Sequence, residues 1–443
     1  MLRVLPDEDM PDTGDRMVRL TEQEVFANLR AVLELCAAGE LRCSEKTRRP
    51  SAASIRAVEA HLAQGDFYAG EAIAAFAWPL LVQAGGLGTL DGTRLTLTPK
   101  GRAALGKPPA EVLRGLWQRW LTHAVIDEFS RIEEIKGQRI RNVLSAAKGR
   151  RQIVAGALAG CPPGEWIEVD TLFAVMQSDH LSPTVARNGR SLWRLYLGDP
   201  QYGSFGYDGC NDWQLLEGRY TLAVLFEYAA TLGLVDVDYG AADGARDDFR
   251  NNWGGDCLAA LSRYDGLRAI RLNALGSYVL GLTGSYRPTR PDAGRALPLT
   301  VLPNLDIVAT GDIDGADRLV LSAHAEQSAD RVWTASAASL LRALEQGRDL
   351  DEFAGFLGRR TAHELPGTLR TVIADVHRRG RRLTDLGMAR VIECADTALA
   401  TLIGKDPALR ALCRRVGDRH LLVRPEQEID FRKALRKLGY AVP

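Results

Sequence analysis

The chain has 443 residues, of which 46% are hydrophobic and 25% are charged. This length and composition exclude a fibre and a disordered protein, and they predict roughly two to four domains with buried cores. Lysine and arginine together number 56, as do aspartate and glutamate, so the net charge does not indicate a nucleic-acid-binding protein. Contact with nucleic acid would have to come from local basic patches.

The cysteines are odd in number, widely scattered and without a C-x-x-C pair, which is typical of a reducing compartment. The amino terminus lacks an apolar signal core. No run of the sequence approaches the ~18 apolar residues that a membrane-spanning helix needs. We therefore expect a cytoplasmic protein that does not contact a membrane.

Residues 1 to 17 are acidic and contain proline, which predicts a flexible arm, and three helices follow it. A capping-box spacing at Thr21 precedes apolar residues at helical spacing up to Gly39, and Ser51 can cap a second helix. The third helix, EAIAAFAWPLLVQAG, is apolar nearly all round, so we expect it to be buried. Pro79 disfavours helical geometry at Trp78, which predicts two short helices rather than one.

A hairpin follows the third helix. Gly85-Gly86 can end the helix, Asp91-Gly92 is a favoured turn between two short strands, and Thr98 can cap a short helix. Helices, hairpin and capped helix in this order are typical of a winged-helix domain, which we assign to residues 18 to 107. A buried third helix favours protein contact, scaffolding or shape-based nucleic-acid contact over the reading of bases in a major groove.

The pattern recurs in residues 151 to 283. The segment AIRLNALGSYVLG aligns with RLTLTPKGRAALG, which pairs Gly276 with Gly101 and Gly281 with Gly106. The second copy carries an insertion from about 239 to 264, which predicts a much longer wing. The alternative to a divergent duplication is two unrelated hairpins with common turn chemistry.

Basic residues and aromatic residues mark candidate nucleic-acid contacts. Residues 108 to 150 form a predicted helical connector, and the stretch from 136 to 152 has basic residues and no acid, which indicates either a solvated linker or contact with phosphates. An aromatic-rich segment from 199 to 220 could stack on bases or pack a long loop onto a core. The candidate aromatic residues are Tyr202, Phe205, Tyr207 and Trp213. The candidate basic residues of the connector are Lys136, Arg139, Arg141, Lys148, Arg150 and Arg151.

Two further basic groups are candidates for backbone contacts. The first module contributes Lys46, Arg48, Arg49, Arg56 and Arg94. The run VHRRGRRL contributes Arg378, Arg379, Arg381 and Arg382. The basic residues of that run can also end a helix with favourable dipole charges, so a nucleic-acid role and a structural role both stay open.

The stretch from 281 to 297 is rich in proline, glycine and arginine, which predicts a linker before an α+β domain at 297 to 443. Its phrases LPNLDIV (302 to 308), TASAASL (334 to 340), ALEQG (343 to 347) and LRKLGY (435 to 440) resemble the helicase-associated domain of XPB-type superfamily 2 DNA helicases. The resemblance covers about a third of the chain and implies a fold, with no catalytic residue. The rest of the chain resembles bacterial helicase-associated proteins of unassigned role.

The helicase motor itself is missing from the sequence. The nearest match to a phosphate-binding loop is GRAALGK at residues 101 to 107, where Pro108 replaces the required hydroxyl and a helix is predicted between the glycines. We expect no ATP hydrolysis, and neither a metal site nor a cofactor is indicated. No sequence motif of a catalytic site is present.

The sequence therefore predicts a helix-rich α+β protein with tandem winged-helix modules and a helicase-associated domain. Our leading hypothesis is a non-catalytic, DNA-associated accessory or scaffold protein that works with a separate helicase or ATPase in DNA processing, repair or defence. The alternative is a winged-helix transcriptional regulator. A nuclease or another enzyme with a site assembled only in three dimensions is a third, minor possibility.

Overall fold

A computed structural model describes residues 4 to 5, 16 to 207, 213 to 289, 298 to 380, 382 to 383 and 387 to 442. It is a mixed α+β protein rich in helices, which confirms the predicted fold class at that level. The chain forms two compact units, Met1–Ile373 and Ala374–Pro443. The predicted boundary between 283 and 297 does not separate these units, because residues 298 to 373 belong to the first. Residues 290 to 297 of the predicted linker lie outside the described residues.

The first part of the chain contains helices and short strands in the predicted order. They are β1 (Val4–Leu5), β2 (Met17–Arg19), α1 (Val25–Ala38), α2 (Ala52–Glu59), α3 (Ala74–Ala84), β3 (Gly88–Asp91), β4 (Arg94–Leu97) and α4 (Pro99–Leu105). Ser51 caps α2 by accepting from the Ser54 amide, and Thr98 caps α4 by accepting from the Gly101 amide. The predicted hairpin turn is present, with Gly92 at a φ of 56°. These local predictions are confirmed.

The prediction that Pro79 divides the third helix is wrong. Helix α3 runs without a break through Pro79, although the ring removes one helical hydrogen bond. Trp78 and Leu81 on either side are fully buried, so tertiary packing outweighs the local preference of proline. At the start of the helix, the Asp66 carboxylate accepts bonds from three successive backbone amides, at residues 73 to 75. The predicted burial of this helix is confirmed.

The second part of the chain continues within the same unit. Its elements are α5 (Pro109–Thr122), α6 (Ala147–Ala159), β5 (Trp166–Glu168), α7 (Val169–Ser178), α8 (Gly189–Leu192), α9 (Arg219–Ala223), β6 (Val235–Tyr239), β7 (Leu267–Leu272) and α10 (Ala274–Val279). Helix α9 is the middle of one helical run, with π-helical turns at Gln214–Gly218 and Val224–Ala230. The apolar helix predicted here is buried along its whole length.

One antiparallel sheet joins the amino terminus to this second part, with strand order β1-β5-β7-β6-β2. Val4 pairs with Ile167, and Met17 pairs with Tyr239. The two described pieces of the predicted flexible arm are therefore strands, because each finds an open sheet edge whose backbone groups it can satisfy. The remainder of residues 1 to 15 lies outside the described residues.

Helices α4 and α10 begin in the same way, as the predicted pairing of Gly101 with Gly276 requires. Thr98 caps α4 and Asn273 caps α10, each by accepting from the amide of the paired glycine. A Cβ added to Gly101 would lie 2.0 Å from the Leu87 carbonyl oxygen. A Cβ added to Gly276 would lie 2.1 Å from the carbonyl oxygen of Leu234. The shared close approach goes beyond common turn chemistry and favours a duplication.

The predicted long wing is folded into the core. Phe249, Leu261 and Tyr264 of the insertion are fully buried. The buried Arg219 side chain bonds Asp248 (Nη2 to Oδ1, 2.6 Å) and Asp265 (Nε to Oδ1, 3.0 Å). The insertion predicted as a longer wing therefore packs onto the core through these buried residues, and its Asp248 helps to neutralise a buried arginine.

Residues 298 to 373 add a second antiparallel sheet with strand order β10-β11-β9-β8 and the helices around it. The elements are β8 (Leu299–Val301), β9 (Asp306–Ala309), α11 (Gly315–His324), β10 (Glu326–Ala329), β11 (Val332–Thr334), α12 (Ala337–Glu345) and α13 (Leu350–Arg360), followed by α14 (Gly367–Gly380). Helix α11 packs along α1. The buried ion pair between Arg348 and Glu34 joins this segment to the first helix.

The second unit has its own small core. Its elements are the carboxyl-terminal part of α14, then β12 (Arg390–Glu393), α15 (Thr397–Lys405), β13 (Arg414–Val416), β14 (His420–Val423) and α16 (Glu428–Lys437). The three strands form an antiparallel sheet with β14 in the centre. Leu421 and Val423 of that strand pack with Phe431 of α16.

His324 at the end of α11 is a buried, titratable group. The ring stacks on Phe353, with centroids 4.3 Å apart, and Nδ1 donates to the Val320 carbonyl at 2.8 Å. Burial lowers the pKa of His324 below its ordinary value of 6.5. The bond to the Val320 carbonyl raises this pKa and the charge of Arg348 lowers it, but burial has the largest effect. The folded chain therefore favours the neutral ring.

The contribution of His324 to stability is present above its unfolded pKa and is lost as the pH falls, because protonation is more favourable in the unfolded chain. We expect the urea midpoint of the protein to fall between about pH 7.5 and about pH 5.5, across the ordinary titration of histidine. His324→Phe keeps a ring on Phe353 and removes the titration, so its midpoint should fall less. Equal falls in both proteins would contradict this assignment.

Candidate nucleic-acid interface

In the first module, the predicted basic residues lie on a surface of mixed charge. Lys46, Arg48, Arg56 and Arg94 are exposed. The loop that carries Lys46 and Arg48 lies beside the hairpin, since the Cys43 amide donates to the Thr93 carbonyl at 2.7 Å. Acidic residues Glu45 and Asp91 are exposed on the same loop and hairpin, so the local charge is partly neutralised.

Arg49, the fifth basic residue predicted in the first module, binds a residue of the connector. It is only half-exposed, and its Nη2 donates to the hydroxyl of Ser130 at 2.8 Å. The guanidinium also lies 6.0 Å from the ring centroid of Phe76. This arginine therefore holds the loop to the connector.

The prediction that Arg150 and Arg151 contact nucleic acid is wrong. Both side chains are buried, at 2% and 1% exposed, and each pairs with a carboxylate of the preceding segment, Asp127 for Arg150 and Glu128 for Arg151. Burial raises the pKa of the Glu128 carboxyl, and Arg151 opposes that rise. These arginines hold helix α6 to the connector and cannot reach a phosphate.

The aromatic neighbours of this pair explain how the charge is accommodated. The Arg151 guanidinium lies 4.3 Å from the Trp120 ring centroid, and that of Arg150 lies 4.5 Å from the Tyr220 ring centroid. Arginine stacks on aromatic faces more readily than lysine because its planar cation is weakly hydrated. The run of basic residues thus divides into four exposed residues and two buried ones.

The exposed part of the run lies next to a second arginine-rich segment. Lys136, Arg139, Arg141 and Lys148 are exposed. The fold then places residues 136 to 142 beside residues 187 to 196. The Lys136 amide donates to the Tyr196 carbonyl at 2.8 Å.

The second segment contributes three arginines that sequence reasoning missed: Arg187, Arg190 and Arg194, all exposed. Arg187 ties the two segments together, because its Nη1 donates to Asn142 Oδ1 at 2.8 Å. We call these three residues with Arg139 and Arg141 the arginine surface. Residues 136 to 142 and 187 to 194 contain no acid. In the described part of the chain, no ion pair involves any of the five guanidinium groups.

The signal that could have revealed this surface is the phrase RNGRSLWR at residues 187 to 194. It contains three arginines and no acid, and the connector run is likewise basic without an acid. Only the pairing of the two segments shows that they form one surface, since they are separated by two helices.

The aromatic residues of the segment from 199 to 220 were predicted either to pack a loop onto the core or to stack on bases. Phe205 is buried, and Trp213 is half-buried, donating from Nε1 to the Ser182 hydroxyl at 2.9 Å. Tyr202 and Tyr207 are 54% and 41% exposed. Half of the candidate aromatic residues therefore pack the loop onto the core, and half face solvent.

In the second unit, Arg378 and Arg379 lie in the last turn of α14. Arg379 pairs with Asp375 at 2.6 Å, and Arg378 lies 3.7 Å from the same carboxylate. Arg382 is exposed, and Arg381 lies outside the described residues. The structural role, in which basic side chains stabilise the end of a helix, is therefore supported for Arg378 and Arg379.

Other kinds of site have little support among the described residues. No group of three or more histidine, cysteine, aspartate or glutamate side chains there could hold a metal ion. Residues 101 to 105 of the phosphate-loop lookalike are helical, as expected. Burial raises the pKa of the Cys43 thiol to about 11 and that of Cys161 to about 12, so neither is an activated nucleophile.

A cavity of about 890 Å³ lies in the first unit. Its charged lining is largely neutralised by ion pairs. Arg271 pairs with Asp236 at 2.9 Å, and Arg360 pairs with Asp317 at 2.9 Å. Paired charges of this kind support the walls of a cleft and do not offer an obvious acid, base or nucleophile.

The chain matches no known protein family. No curated protein matches it either. Among the described residues, no helix combines the length and the apolar character that crossing a membrane requires. The arginine surface is therefore the strongest candidate site, on the basis of its own geometry.

Proposed function

We propose that the protein is a non-catalytic accessory or scaffold protein that holds the DNA backbone on its arginine surface and works with a helicase motor on a separate chain. The observation that carries the proposal is the arginine surface itself, in which two adjacent, acid-free segments expose five guanidinium groups. Arginine contacts to phosphate oxygens supply affinity without reading sequence. DNA processing, repair or defence is the setting that such a role fits.

The order of the elements supports the two winged-helix modules. In each copy, the segment after the first helix pairs with the last strand: Arg42 bridges Arg94 in the first, and Ile167 pairs with Ile270 in the second. The third helix of each copy is buried, so neither presents polar side chains for base reading. The modules in this proposal are structural and hold the arginine surface in place.

The resemblance of the last third to an XPB-type helicase-associated domain supports the proposed partner. Such domains accompany a motor, and the chain has no phosphate-binding loop of its own. Affinity capture of the full chain from its native host tests this part of the proposal. If neither a helicase nor another ATPase co-purifies, the motor partner is refuted, while DNA binding by the arginine surface is tested separately.

A charge-removal variant tests the DNA contact. Replacing Arg187, Arg190 and Arg194 together with glutamine should weaken the binding of a random-sequence duplex. Each lost phosphate contact should lower the slope of log affinity against log salt by about 0.9, because fewer counterions are released. Fluorescence anisotropy across a salt series measures both quantities.

The matched control removes the same charge from arginines that already have acidic partners. Arg331, Arg342 and Arg370 are exposed and lie near Asp312, Glu326 and Glu364. Their triple glutamine variant should bind the duplex like the natural chain. Equal losses in the two variants would show that net charge, and not the arginine surface, determines binding.

A sequence-specific regulator remains the alternative function. Specific binding typically exceeds nonspecific binding by at least about a thousandfold. Selection of bound duplexes from a random pool tests this directly. A preference of that size would contradict the scaffold proposal.

A further inference from the structure

Four exposed aromatic side chains lie beside the arginine surface. Trp193 and Tyr207 form an edge-to-face pair, with ring centroids 4.9 Å apart, and Tyr202 and Trp253 form a tilted pair at 5.2 Å. The two tryptophans are 52% and 61% exposed. Large aromatic residues are seldom left this exposed in a group without a ligand or partner to cover them. We call these residues the aromatic platform.

The loop backbone packs closely against the indole ring of Trp193. A Cβ added to Gly206 would lie 2.3 to 2.6 Å from three atoms of the indole ring. Nearly equal distances to three ring atoms place Gly206 over one face of the indole. Glycine at position 206 allows this close approach, and Trp193 remains 52% exposed.

The two aromatic pairs are parts of one built surface. The Tyr207 hydroxyl donates to the Gln201 carbonyl at 2.6 Å, next to Tyr202. The Asp199 carboxylate accepts from the backbone amides of Gln201 (2.7 Å) and Tyr202 (3.2 Å), so this acid is engaged within the loop. Hydrogen bonds thus fix the hydroxyl of Tyr207 and the backbone at Tyr202, one residue of each pair.

A close backbone contact anchors Trp253 to the same loop. Gly198 and Gly254 approach so closely that a Cβ on Gly254 would lie 3.1 Å from the Gly198 Cα. The insertion that carries Trp253 is itself fastened to the core by Arg219. The exposed residues near Trp253 carry both signs of charge, Arg250 being basic and Asp247 and Asp256 acidic.

We propose that the aromatic platform and the arginine surface together bind single-stranded DNA, with bases stacked on the aromatic rings and phosphates on the arginines. This inference rests on the proposed DNA contact and names the form of DNA that the site takes. The positive charge of the arginine surface is complementary to the negative charge of a phosphate backbone. Duplex DNA keeps its base faces stacked inside the helix, so aromatic rings add affinity only to a single strand.

The test compares three ligands of equal length with the full chain, by fluorescence anisotropy at one salt concentration. They are oligo-dT, a random duplex and oligo-U. We expect oligo-dT to bind more tightly than both others. Trp193→Ala and Trp253→Ala should each weaken oligo-dT binding by about tenfold, the typical effect of removing one stacking side chain. Neither change should alter duplex binding or the salt slope.

Two further variants separate stacking from folding. Trp193→Phe retains an aromatic face and should restore most of the oligo-dT affinity that Trp193→Ala loses. Tyr440→Ala removes an aromatic side chain of the other unit that is 41% exposed, and should leave oligo-dT binding unchanged. Quenching of tryptophan fluorescence by oligo-dT should diminish in both single tryptophan variants.

The outcomes distinguish this inference from the proposed function. Duplex binding that depends on the arginines, without tighter binding of oligo-dT, would refute the single-strand inference alone. No binding of any DNA would refute both. Tighter binding of oligo-U than of oligo-dT, or platform-dependent binding of an acidic peptide without binding of oligo-dT, would show that the occupant is not single-stranded DNA.

Discussion

Arg131→Met is expected to lower the free energy of unfolding by about 3–5 kcal/mol, because it leaves a buried carboxylate without its cation. The Arg131 side chain is 6% exposed, and Nε lies 2.9 Å from Oε2 of the fully buried Glu227. Burial opposes the charge of Arg131, but Glu227 more than compensates and raises the pKa of the guanidinium. Tyr264 donates a hydrogen bond to the same carboxylate.

The size of the expected effect follows from the number of contacts that Arg131 makes between separate parts of the first unit. Its Nη2 donates to the Ala72 carbonyl at 2.8 Å. Its guanidinium lies 3.7 Å from the Phe76 ring centroid, on α3, while Glu227 belongs to the helical run of the second copy. One cation thus joins both predicted modules.

A double variant and an exposed pair provide the controls for this prediction. Arg131→Met combined with Glu227→Gln removes both charges, so it should be more stable than Arg131→Met alone. Arg342→Met breaks a pair whose side chains are 58% and 64% exposed, and should change stability by about 0–1 kcal/mol. Urea unfolding measures all three. A similar loss for Arg131→Met and Arg342→Met would contradict the role assigned to the buried pair.

Gly276→Ala is expected to destabilise the protein by about 1–3 kcal/mol, toward the upper end, because the added methyl meets backbone. The new Cβ would lie 2.1 Å from the Leu234 carbonyl oxygen and 2.6 Å from a methyl carbon of Leu272. The Leu234 carbonyl directly precedes β6 and accepts from the Asn273 amide, so it cannot move away as a flexible side chain could. The start of α10 would therefore have to separate from that carbonyl.

The predicted correspondence of Gly101 with Gly276 gives a second, independent form of this prediction. Gly101→Ala should have a similar effect, since its Cβ would lie 2.0 Å from the Leu87 carbonyl oxygen. Gly156→Ala is the matched control, because no atom lies within 4 Å of the new Cβ and the residue is inside α6. That control should stabilise the helix by about 0.5–1 kcal/mol. In urea unfolding, the free energy of unfolding should fall for Gly276→Ala and rise for Gly156→Ala.

Local chemistry made several elements predictable from sequence. The caps at Ser51 and Thr98 and the turn at Gly92 depend on side chains and backbone preferences within a few residues, so each could be read directly. The hairpin between β8 and β9 could not be read in this way, because its turn, LPNL at residues 302 to 305, contains no glycine. Leu305 turns the chain there at a φ of 72°, a conformation that few non-glycine residues adopt.

Other features depended on partners that are distant in the sequence. Pro79 stays helical because its neighbours are buried, and Arg150 is buried because Asp127 neutralises it. The pattern of basic residues from 136 to 152 cannot show which arginines have such partners. Exposure, which decides whether an arginine can contact a phosphate, is a property of the folded chain.

The sequence by itself determined the mixed α+β class, the caps and turns, and the correspondence of Gly101 with Gly276, because these depend on residue type and short-range spacing. Only the tertiary structure decided which basic residues are exposed and that residues 136 to 142 lie beside 187 to 194. It also separated the aromatic platform from Phe205, which is buried in the same loop. The physical reason is that burial and ion pairing arise between segments far apart in the chain, where periodicity and turn chemistry carry no information.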